Sequence, residues 1–511
     1  MNPPYIQSLK KTMPAIAILF LLGFSVISVN TGMNLMKGTD NTDAYEALVS
    51  IAASQQDVNN TQVESQVLQS ESEIANGLYF KTIRELSSLE YAYGEESYIE
   101  PYIVNNSKTV TEKRNFGLHM ICGAICLMLG AFQFWPYFRR KYRKIHRVFG
   151  SVFILSGVTL SISVWFYLIW SGPEKTYEGI TGQAGLYTLS GIVLLSMGVS
   201  VFYLCKREYN KHMGWMSIAF GSFLTAPFQR YDWMVLAALD TGQTHAVING
   251  LVDAVLYTQA YAVAYLIFFM NRHFSPIKKN FTPYAYDSEI KKYGLIIISA
   301  LGSISVFYYY FLTKGMAESG AVLGIINEKA FIKETAVIFN QGSAIPLMFA
   351  TLSTIIMCLG AYLFSTKDSL KQGVNPTLYL YVLAGVGLAC IEISWGLQIG
   401  YPTMLNSPGG GHYVLWGILH LSFSAAVFYA HLANKQSLLK EWIMMLWVLS
   451  FFSVSIFWLA SGLSVLNVVP QHYIESRHIS VLLAGGASTF IFLLAMIFAI
   501  YGIATKERAI H

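Results

Sequence analysis

The sequence predicts an all-α, polytopic α-helical membrane protein with about 12 transmembrane helices in two six-helix halves and a small outer helical segment. Of its 511 residues, 54% are hydrophobic and only 12% are Asp, Glu, Lys or Arg, whereas globular domains carry about 25% charged residues. Apolar stretches of about 20 residues, the length that crosses a bilayer, recur along the chain. Basic residues concentrate in alternate connections between these stretches, which is typical of cytoplasmic loops.

The chain divides into four predicted segments. Residues 1–29 form a membrane anchor helix, because two lysines precede an apolar run that is long for a signal peptide core. Residues 30–115 are rich in glutamate and show helical periodicity, so we expect an extracytoplasmic acidic helical segment. A tethered polar linker is the alternative interpretation of that segment. Residues 116–291 form a first membrane bundle, and residues 292–511 form a second bundle of six helices.

The connection at residues 139–147, RRKYRKIHR, carries the strongest charge signal, because six of its nine residues are Lys or Arg. We expect this loop to lie in the cytoplasm and to bind anionic lipid headgroups. The headgroup contacts are predicted at Arg139, Arg140, Lys141, Arg143, Lys144 and Arg147. Later basic connections contain Lys367, Lys371, Lys435, Lys440, Lys506 and Arg508. Their alternation predicts a multi-pass protein of the cell inner (plasma) membrane with both termini cytoplasmic. A nucleic-acid partner is not indicated, because the basic residues of this +5 chain lie in short loops between apolar runs.

The helix predicted after residue 116 carries a polar stripe. His119, Cys126 and Gln133 are spaced by seven residues, nearly two helical turns, and therefore share one face with Cys122 beside them. Such a stripe faces protein rather than lipid. Two interpretations remain open: a haem or soft-metal ligand set, and hydrogen bonding between helices with two packed thiols.

Ionisable residues of the predicted spans collect in their outer halves, which indicates a hydrated vestibule open to the outside. The polar residues assigned to it are Gln133, Arg230, Asp232, Asp253, Glu392 and His420. Because an unpaired charge is costly there, we expect Arg230 to pair with Asp232 or Asp253. The competing interpretation is that several of these side chains extend to the membrane surface.

Histidines near both ends of the spans suggest haem b, because membrane b-type cytochromes hold iron between paired neutral imidazoles. His119 and His245 are the candidate ligands near the outer face. His146 and His212 are the candidates near the inner face, although their basic loops also fit a headgroup-facing rim.

Residues 116–233 contain a series of spaced motifs. These are His119, Gly123, Gln133-Phe134, His146-Arg147 with Gly150, His212 with Trp215-Met216, and Arg230. The series resembles a bacterial family of polytopic membrane proteins of unknown function. Relatives in that family usually carry Arg after the third His, where this chain has Met213. The resemblance implies a four-helix membrane unit and supplies no reaction.

Three functional interpretations therefore compete. The histidines favour a haem-binding or other redox membrane protein with a site near the outer face. The helix number, a possible duplication of the two halves and the charges within the spans favour a transporter with an outward-facing polar vestibule. The acidic segment and the absence of a complete catalytic motif favour a non-catalytic sensor or assembly factor, whose protein partners would bind residues 30–115.

Overall fold

The computed structural model consists of helices, and no strand occurs among the residues it describes. The described residues are 4–38, 41–54, 61–74, 76–173, 175–176, 179–239, 242–273, 289–313, 315, 324–325, 328–340, 342–366, 373, 375–403, 408–469 and 478–502. This all-helical architecture confirms the predicted fold class.

The helices of the first half of the chain are α1 (Pro4–Lys37), α2 (Thr42–Ala53), α3 (Thr61–Glu73), α4 (Gly77–Leu86), α5 (Leu89–Tyr93), α6 (Glu100–Asn106), α7 (Val110–Gln133), α8 (Pro136–Lys141), α9 (Arg143–Ser171), α10 (Gly179–Cys205), α11 (Tyr209–Ala238) and α12 (His245–His273). Those of the second half are α13 (Glu289–Phe307, continued by a π-helical turn Tyr308–Leu312), α14 (Ile332–Phe339, after a 3-10 turn Glu328–Phe331), α15 (Ala344–Ser365), α16 (Pro376–Ile399), α17 (Gly411–Leu432), α18 (Gln436–Leu449), α19 (Phe452–Leu466) and α20 (His478–Gly502).

Ten helices in the described part of the chain are long and apolar enough to cross a membrane, and α18 with α19 forms an eleventh candidate bent by 49°. The protein is therefore a membrane protein with multiple spans, and this number is close to the predicted twelve. Helix α11 has 30 residues but is not one of the ten. It carries Lys211, Arg230 and Asp232, whose charges make it more polar than its neighbours.

The chain forms two compact units. Unit 1 comprises residues 1–206, 215–249 and 263–276, and unit 2 comprises residues 207–214, 250–262 and 277–511. The segments 207–214 and 250–262, which the sequence assigns to the first bundle, thus cluster with the second. The predicted division at residue 291 stays a prediction.

In unit 1, α1 packs directly on α7 through small residues. A Cβ atom at Gly117 would lie 2.6 Å from the carbonyl oxygen of Gly32, so only glycine permits this approach of the two backbones. The hydroxyl of Ser28 donates to the carbonyl of Met120 at 3.0 Å, and Ser25 makes a similar bond one turn away. Helix α1 continues to Lys37, past residue 29 where the predicted anchor ends.

Helices α2 to α6, called the cap here, form a small folded body in unit 1. Leu48, Val67 and Phe80 are fully buried in its core. Glu71 is also buried, and it accepts hydrogen bonds from Arg84 at 2.9 Å and from the hydroxyl of Tyr93 at 2.7 Å. The helical interpretation of this acidic segment therefore agrees with the structure, and the linker interpretation does not.

In unit 2, α18 is buried along its whole length from Leu438 onward. The ammonium group of Lys440 donates to the carbonyls of Leu363 at 2.5 Å, Phe364 at 2.9 Å and Thr366. These carbonyls belong to the end of α15, where helix geometry leaves them without partners in the helix. Lys440, which the sequence places among the loop charges, instead caps a neighbouring helix.

Candidate functional site

Glu392 on α16 and His420 on α17 form a buried acid–imidazole pair in unit 2. Two close contacts between the helices bring them together, because a Cβ at Gly417 would lie 2.8 Å from a carbonyl oxygen of α16, and one at Gly396 would lie 2.6 Å from the carbonyl of Gly410. Nδ1 of His420 lies 2.7 Å from Oε2 of Glu392. The two side chains are 1% and 0% exposed, so no bulk water screens their interaction.

Each member of the pair keeps one unused polar atom. Within the described part of the chain, Oε1 of Glu392 and Nε2 of His420 have no hydrogen-bond partner, although both atoms are buried. Buried polar atoms in proteins are almost always paired, and unpaired ones accompany function or strain. The pair can therefore accept a further proton at either atom without breaking the contact it already makes.

A second buried acid, Glu334 of α14, contacts the start of helix α17. The hydroxyl of Tyr413 lies 3.2 Å from Oε1 of Glu334, and the hydroxyls of Tyr413 and Tyr310 lie 3.4 Å apart. Glu334 lies on α14, outside the candidate spans, and burial raises its pKa to about 7. Its carboxyl group therefore exchanges protons near neutral pH.

Tyr413 and His420 share one face of α17, because seven residues make nearly two turns and advance about 10 Å. Trp416 lies between them, and its indole nitrogen donates to the hydroxyl of Ser488 at 2.8 Å. We call Glu334, Tyr413, Trp416, His420 and Glu392 the α17 row. Sequence reasoning identified Glu392 and His420 but missed Glu334 and Tyr413. The i, i+3, i+7 spacing of Tyr413, Trp416 and His420 is the signal that could have revealed the row.

The polar stripe of α7 faces α9 and bonds to its backbone. Nδ1 of His119 lies 3.3 Å from the carbonyl oxygen of Leu160, and the Cys126 thiol lies 3.5 Å from that of Phe153. The side-chain amide of Gln133 donates to the carbonyl of His146 at 3.0 Å. These contacts are those of the hydrogen-bonding interpretation of the stripe. Among the described residues, no group of three or more His, Cys, Asp or Glu is placed to hold a metal ion.

His245, the other predicted outer ligand, is enclosed by aromatic rings. The rings of Trp233, Tyr98 and Tyr91 meet its ring edge-on, with centroids at 4.6, 5.0 and 5.7 Å. Its Nδ1 lies 3.1 Å from the hydroxyl of Tyr91. The imidazole is fully buried among these rings. The assignment of His245 as an axial haem ligand stays a prediction.

Arg230 lies one turn before Trp233 on α11, and its guanidinium carbon is 5.0 Å from the centroid of the Trp233 ring. It donates to the side-chain oxygen of Gln229. Burial raises the pKa of Tyr102, and the charge of Arg230 and hydrogen bonds with Tyr98 and Arg230 oppose that rise. Asp232 and Asp253, the predicted partners of Arg230, are not among these described contacts, so that pairing stays a prediction.

The remaining predicted site residues are dispersed. His146 lies half-buried at the start of α9, His212 lies near the start of α11 in unit 2, and Asp253 is buried on α12. Of the predicted headgroup-binding residues, Arg139 is half-buried and the others are exposed. The exposed ones are Arg140, Lys141, Arg143, Lys144 and Arg147. Lys141 lies 5.6 and 5.4 Å from the ring centroids of Tyr137 and Tyr142.

Comparison with curated proteins finds no match, and comparison with solved structures finds none either. The resemblance predicted for residues 116–233 is confirmed by a protein-family model and extends to residue 268. That model, described as a predicted membrane protein (DUF2306), matches residues 116–268, so this segment is similar to a membrane family of unknown function and the chain is an integral membrane protein.

Proposed function

We propose that the protein is a proton-coupled membrane transporter in which the Glu392–His420 pair binds and releases the coupling proton. The observation that carries the proposal is the 2.7 Å contact between two fully buried ionisable side chains. Both lie on helices that are long and apolar enough to cross a membrane. Ionisable residues in such segments are rare because they are costly, and they mark ion pathways and proton relays.

The protonation states of the pair explain how it would work. With one proton on Nδ1 of His420 and none on Glu392, the pair carries a net charge of −1. A second proton on Nε2 or Oε1 brings the net charge to zero. Because net charge is costly inside a membrane, proton binding favours a state closed to water and proton release favours a hydrated state. Alternation between two such states is what a carrier needs.

The rest of the α17 row supplies a route to the pair. Glu334 contacts Tyr413 near the start of α17, about 10 Å along the helix from His420. A carboxyl group with a pKa of about 7 exchanges protons readily at neutral pH. Glu334 would thus collect the proton at the helix end, and the Glu392–His420 pair would hold it deeper in the bundle.

Redox function through haem receives less support from the geometry. His119 bonds to a backbone carbonyl, and His245 is enclosed by aromatic rings. A sensor or assembly role explains neither the unused Oε1 and Nε2 atoms nor the second buried acid.

Proton binding can be measured without knowledge of the transported substrate. We suggest solid-supported membrane electrophysiology on proteoliposomes subjected to rapid pH steps. We expect a transient current from the wild-type protein, because protons enter a buried site and stop there. Glu392→Gln should abolish this current, and His420→Gln should reduce it at least tenfold. Exposed Glu46 provides the matched control, and Glu46→Gln should leave the current unchanged.

Three outcomes would contradict the proposal. A current of wild-type size from a folded Glu392→Gln protein would exclude Glu392 as the proton site. A steady current would indicate a proton channel rather than a carrier. No pH-dependent current from the wild-type protein would remove the proton role and leave a sensor or assembly factor. Monodisperse elution of each variant in detergent establishes that it is folded.

A further inference from the structure

Arg230 carries its positive charge among aromatic side chains of unit 1. Its described contacts are the amide of Gln229, the hydroxyl of Tyr102 and the ring of Trp233. No glutamate or aspartate belongs to that described set. The guanidinium group is half-buried, so water hydrates only part of its charge.

The tyrosines around Arg230 do not supply a negative charge. Burial raises the pKa of Tyr79, Tyr98 and Tyr102, so all three hydroxyls keep their protons at neutral pH. The positive charge of Arg230 opposes each of these rises without cancelling it. Tyr79 and Tyr98 also share a hydrogen bond between their hydroxyls.

Two further features point to a binding site. His245, in contact with Trp233, is fully buried, and its Nε2 has no hydrogen-bond partner among the described residues. Gln229, which accepts from Arg230, donates in turn to Asn249 at 3.3 Å, so the guanidinium is held from one side by a short amide chain. The site is therefore built from the cap and from the facing parts of α11 and α12.

We propose that Arg230 binds the phosphate group of a ligand at the junction of the cap and the membrane helices. A guanidinium presents parallel N–H donors that match a phosphate, and desolvation strengthens such charge-assisted hydrogen bonds. Trp233 lies behind the guanidinium and Tyr98 packs on Trp233, and both rings are buried in the protein. A lipid headgroup and a free phosphate ester from solution both present this phosphate chemistry. This inference is independent of the proton site, which lies in unit 2.

The test uses the purified full-length protein in detergent with two probes. The first is short-chain phosphatidylglycerol, compared with the uncharged diacylglycerol of the same chain length. The second is inorganic phosphate. Native mass spectrometry measures retention of the lipid, and the melting curve followed by tryptophan fluorescence measures binding of either probe.

We expect Arg230→Gln to weaken phosphatidylglycerol binding about tenfold or more, because charge-assisted hydrogen bonds to phosphate are lost. Arg230→Lys keeps the positive charge but loses the parallel N–H donors of the guanidinium, so this variant should show an intermediate affinity. Arg114, an exposed arginine in the first turns of α7, provides the matched control, and Arg114→Gln should bind as the wild type does. If Arg230→Gln fails to fold, the comparison of Arg230→Lys with the wild type replaces it.

The two probes distinguish the two sources of phosphate. A response to phosphatidylglycerol alone, lost in Arg230→Gln, supports a lipid headgroup. A response to inorganic phosphate as well, lost in the same variant, supports a phosphate ester from solution. Equal binding by the wild type and a folded Arg230→Gln, or equal binding of the uncharged diacylglycerol, would overturn the proposal.

Discussion

The imidazole of His420 and the carboxyl group of Glu392 stabilise each other in a place where neither would be tolerated alone, with Nδ1 and Oε2 2.7 Å apart. Removing one partner leaves an uncompensated buried ionisable group, which costs roughly 3–5 kcal/mol. Replacing both with apolar residues of similar size is far less costly. We therefore expect Glu392→Leu and His420→Leu each to lower the free energy of unfolding by about 3 kcal/mol or more.

The double variant Glu392→Leu/His420→Leu should be more stable than the sum of the two single effects predicts, by at least about 1 kcal/mol. Unfolding by SDS in mixed micelles measures all four proteins of this cycle. Additive effects would show that the two side chains do not interact energetically.

The pH dependence of stability should depend on Glu334. Its pKa is raised from 4.5 to about 7 in the folded protein, so the folded state holds a proton that the unfolded state has already released. Its contribution is therefore complete below pH 4.5 and is lost as the pH rises toward 7. The loss is at most about 3 kcal/mol for one group. Glu334→Gln should flatten the change in thermal stability between these two pH values.

Exposed Glu46 again supplies the control, and Glu46→Gln should keep the slope of the wild type. A slope unchanged in Glu334→Gln would show that this carboxyl group has an ordinary pKa.

Lys440→Met should destabilise unit 2. The ammonium group satisfies carbonyls at the end of α15, and methionine fills the space without donating to them. Leaving buried carbonyls unsatisfied costs about 1–3 kcal/mol each, so we expect a loss of at least about 2 kcal/mol. Lys435 on the same connection is exposed and donates to the Tyr429 hydroxyl at 2.8 Å. Lys435→Met should change stability by less than about 0.5 kcal/mol. Equal effects of the two substitutions would contradict the capping role of Lys440.

Glu71→Gln should loosen the cap. Glu71 is 3% exposed and accepts from Arg84 and Tyr93, so the substitution leaves the partly exposed Glu64, 3.4 Å away, as the charge partner of Arg84. We expect a loss of about 2 kcal/mol and faster cleavage of the cap in limited proteolysis. Glu85 forms an exposed pair with Lys81 at 3.7 Å, and Glu85→Gln should cost less than about 1 kcal/mol. Resistance of Glu71→Gln to proteolysis at the wild-type level would be inconsistent with this account.

The exposed basic loop should retain anionic lipids. Neutralising Arg139, Arg140 and Lys141 together removes about 1 kcal/mol of attraction per residue near a charged surface. Native mass spectrometry should then detect fewer bound phosphatidylglycerol molecules, whereas Arg114→Gln provides a single-charge comparison elsewhere on unit 1. Unchanged lipid retention would indicate that the basic residues of this loop determine only the orientation of the protein in the membrane.

The sequence predicted the spans well, because a bilayer imposes length and hydropathy on each helix separately. It also identified Glu392 and His420 as buried polar residues. The sequence could not show that these two residues are in contact. Helices α16 and α17 pack closely at Gly396 and Gly417, and glycines contribute neither a charge nor a hydrophobic periodicity from which that contact could be predicted. The position of a residue along a helix predicts its depth in the membrane, but it does not predict which helices are neighbours.

Lys440 and Glu334 show why a charge near the end of an apolar stretch is difficult to interpret from sequence. Lys440 and Glu334 lie at the ends of apolar stretches, where charge ordinarily indicates a loop, and both are instead buried against backbone or hydroxyl partners. His119 and His245 were predicted to share a cofactor because they lie at similar depth. In the structure, their neighbours differ: His119 bonds to α9, and His245 is held by the cap and α11.

The contact between Gly32 and Gly117 also constrains how the protein is made. The two glycines are 85 residues apart in the sequence, and ribosomes add about 5–20 residues per second. Helix α1 therefore enters the bilayer roughly 4–17 seconds before its partner has been synthesised. During that interval its small-residue face, with Ser25 and Ser28, is open to lipid or to the insertion machinery. Unit 1 is therefore completed only when α7 reaches α1, and a bulky residue at Gly117 would prevent that contact after both helices have inserted.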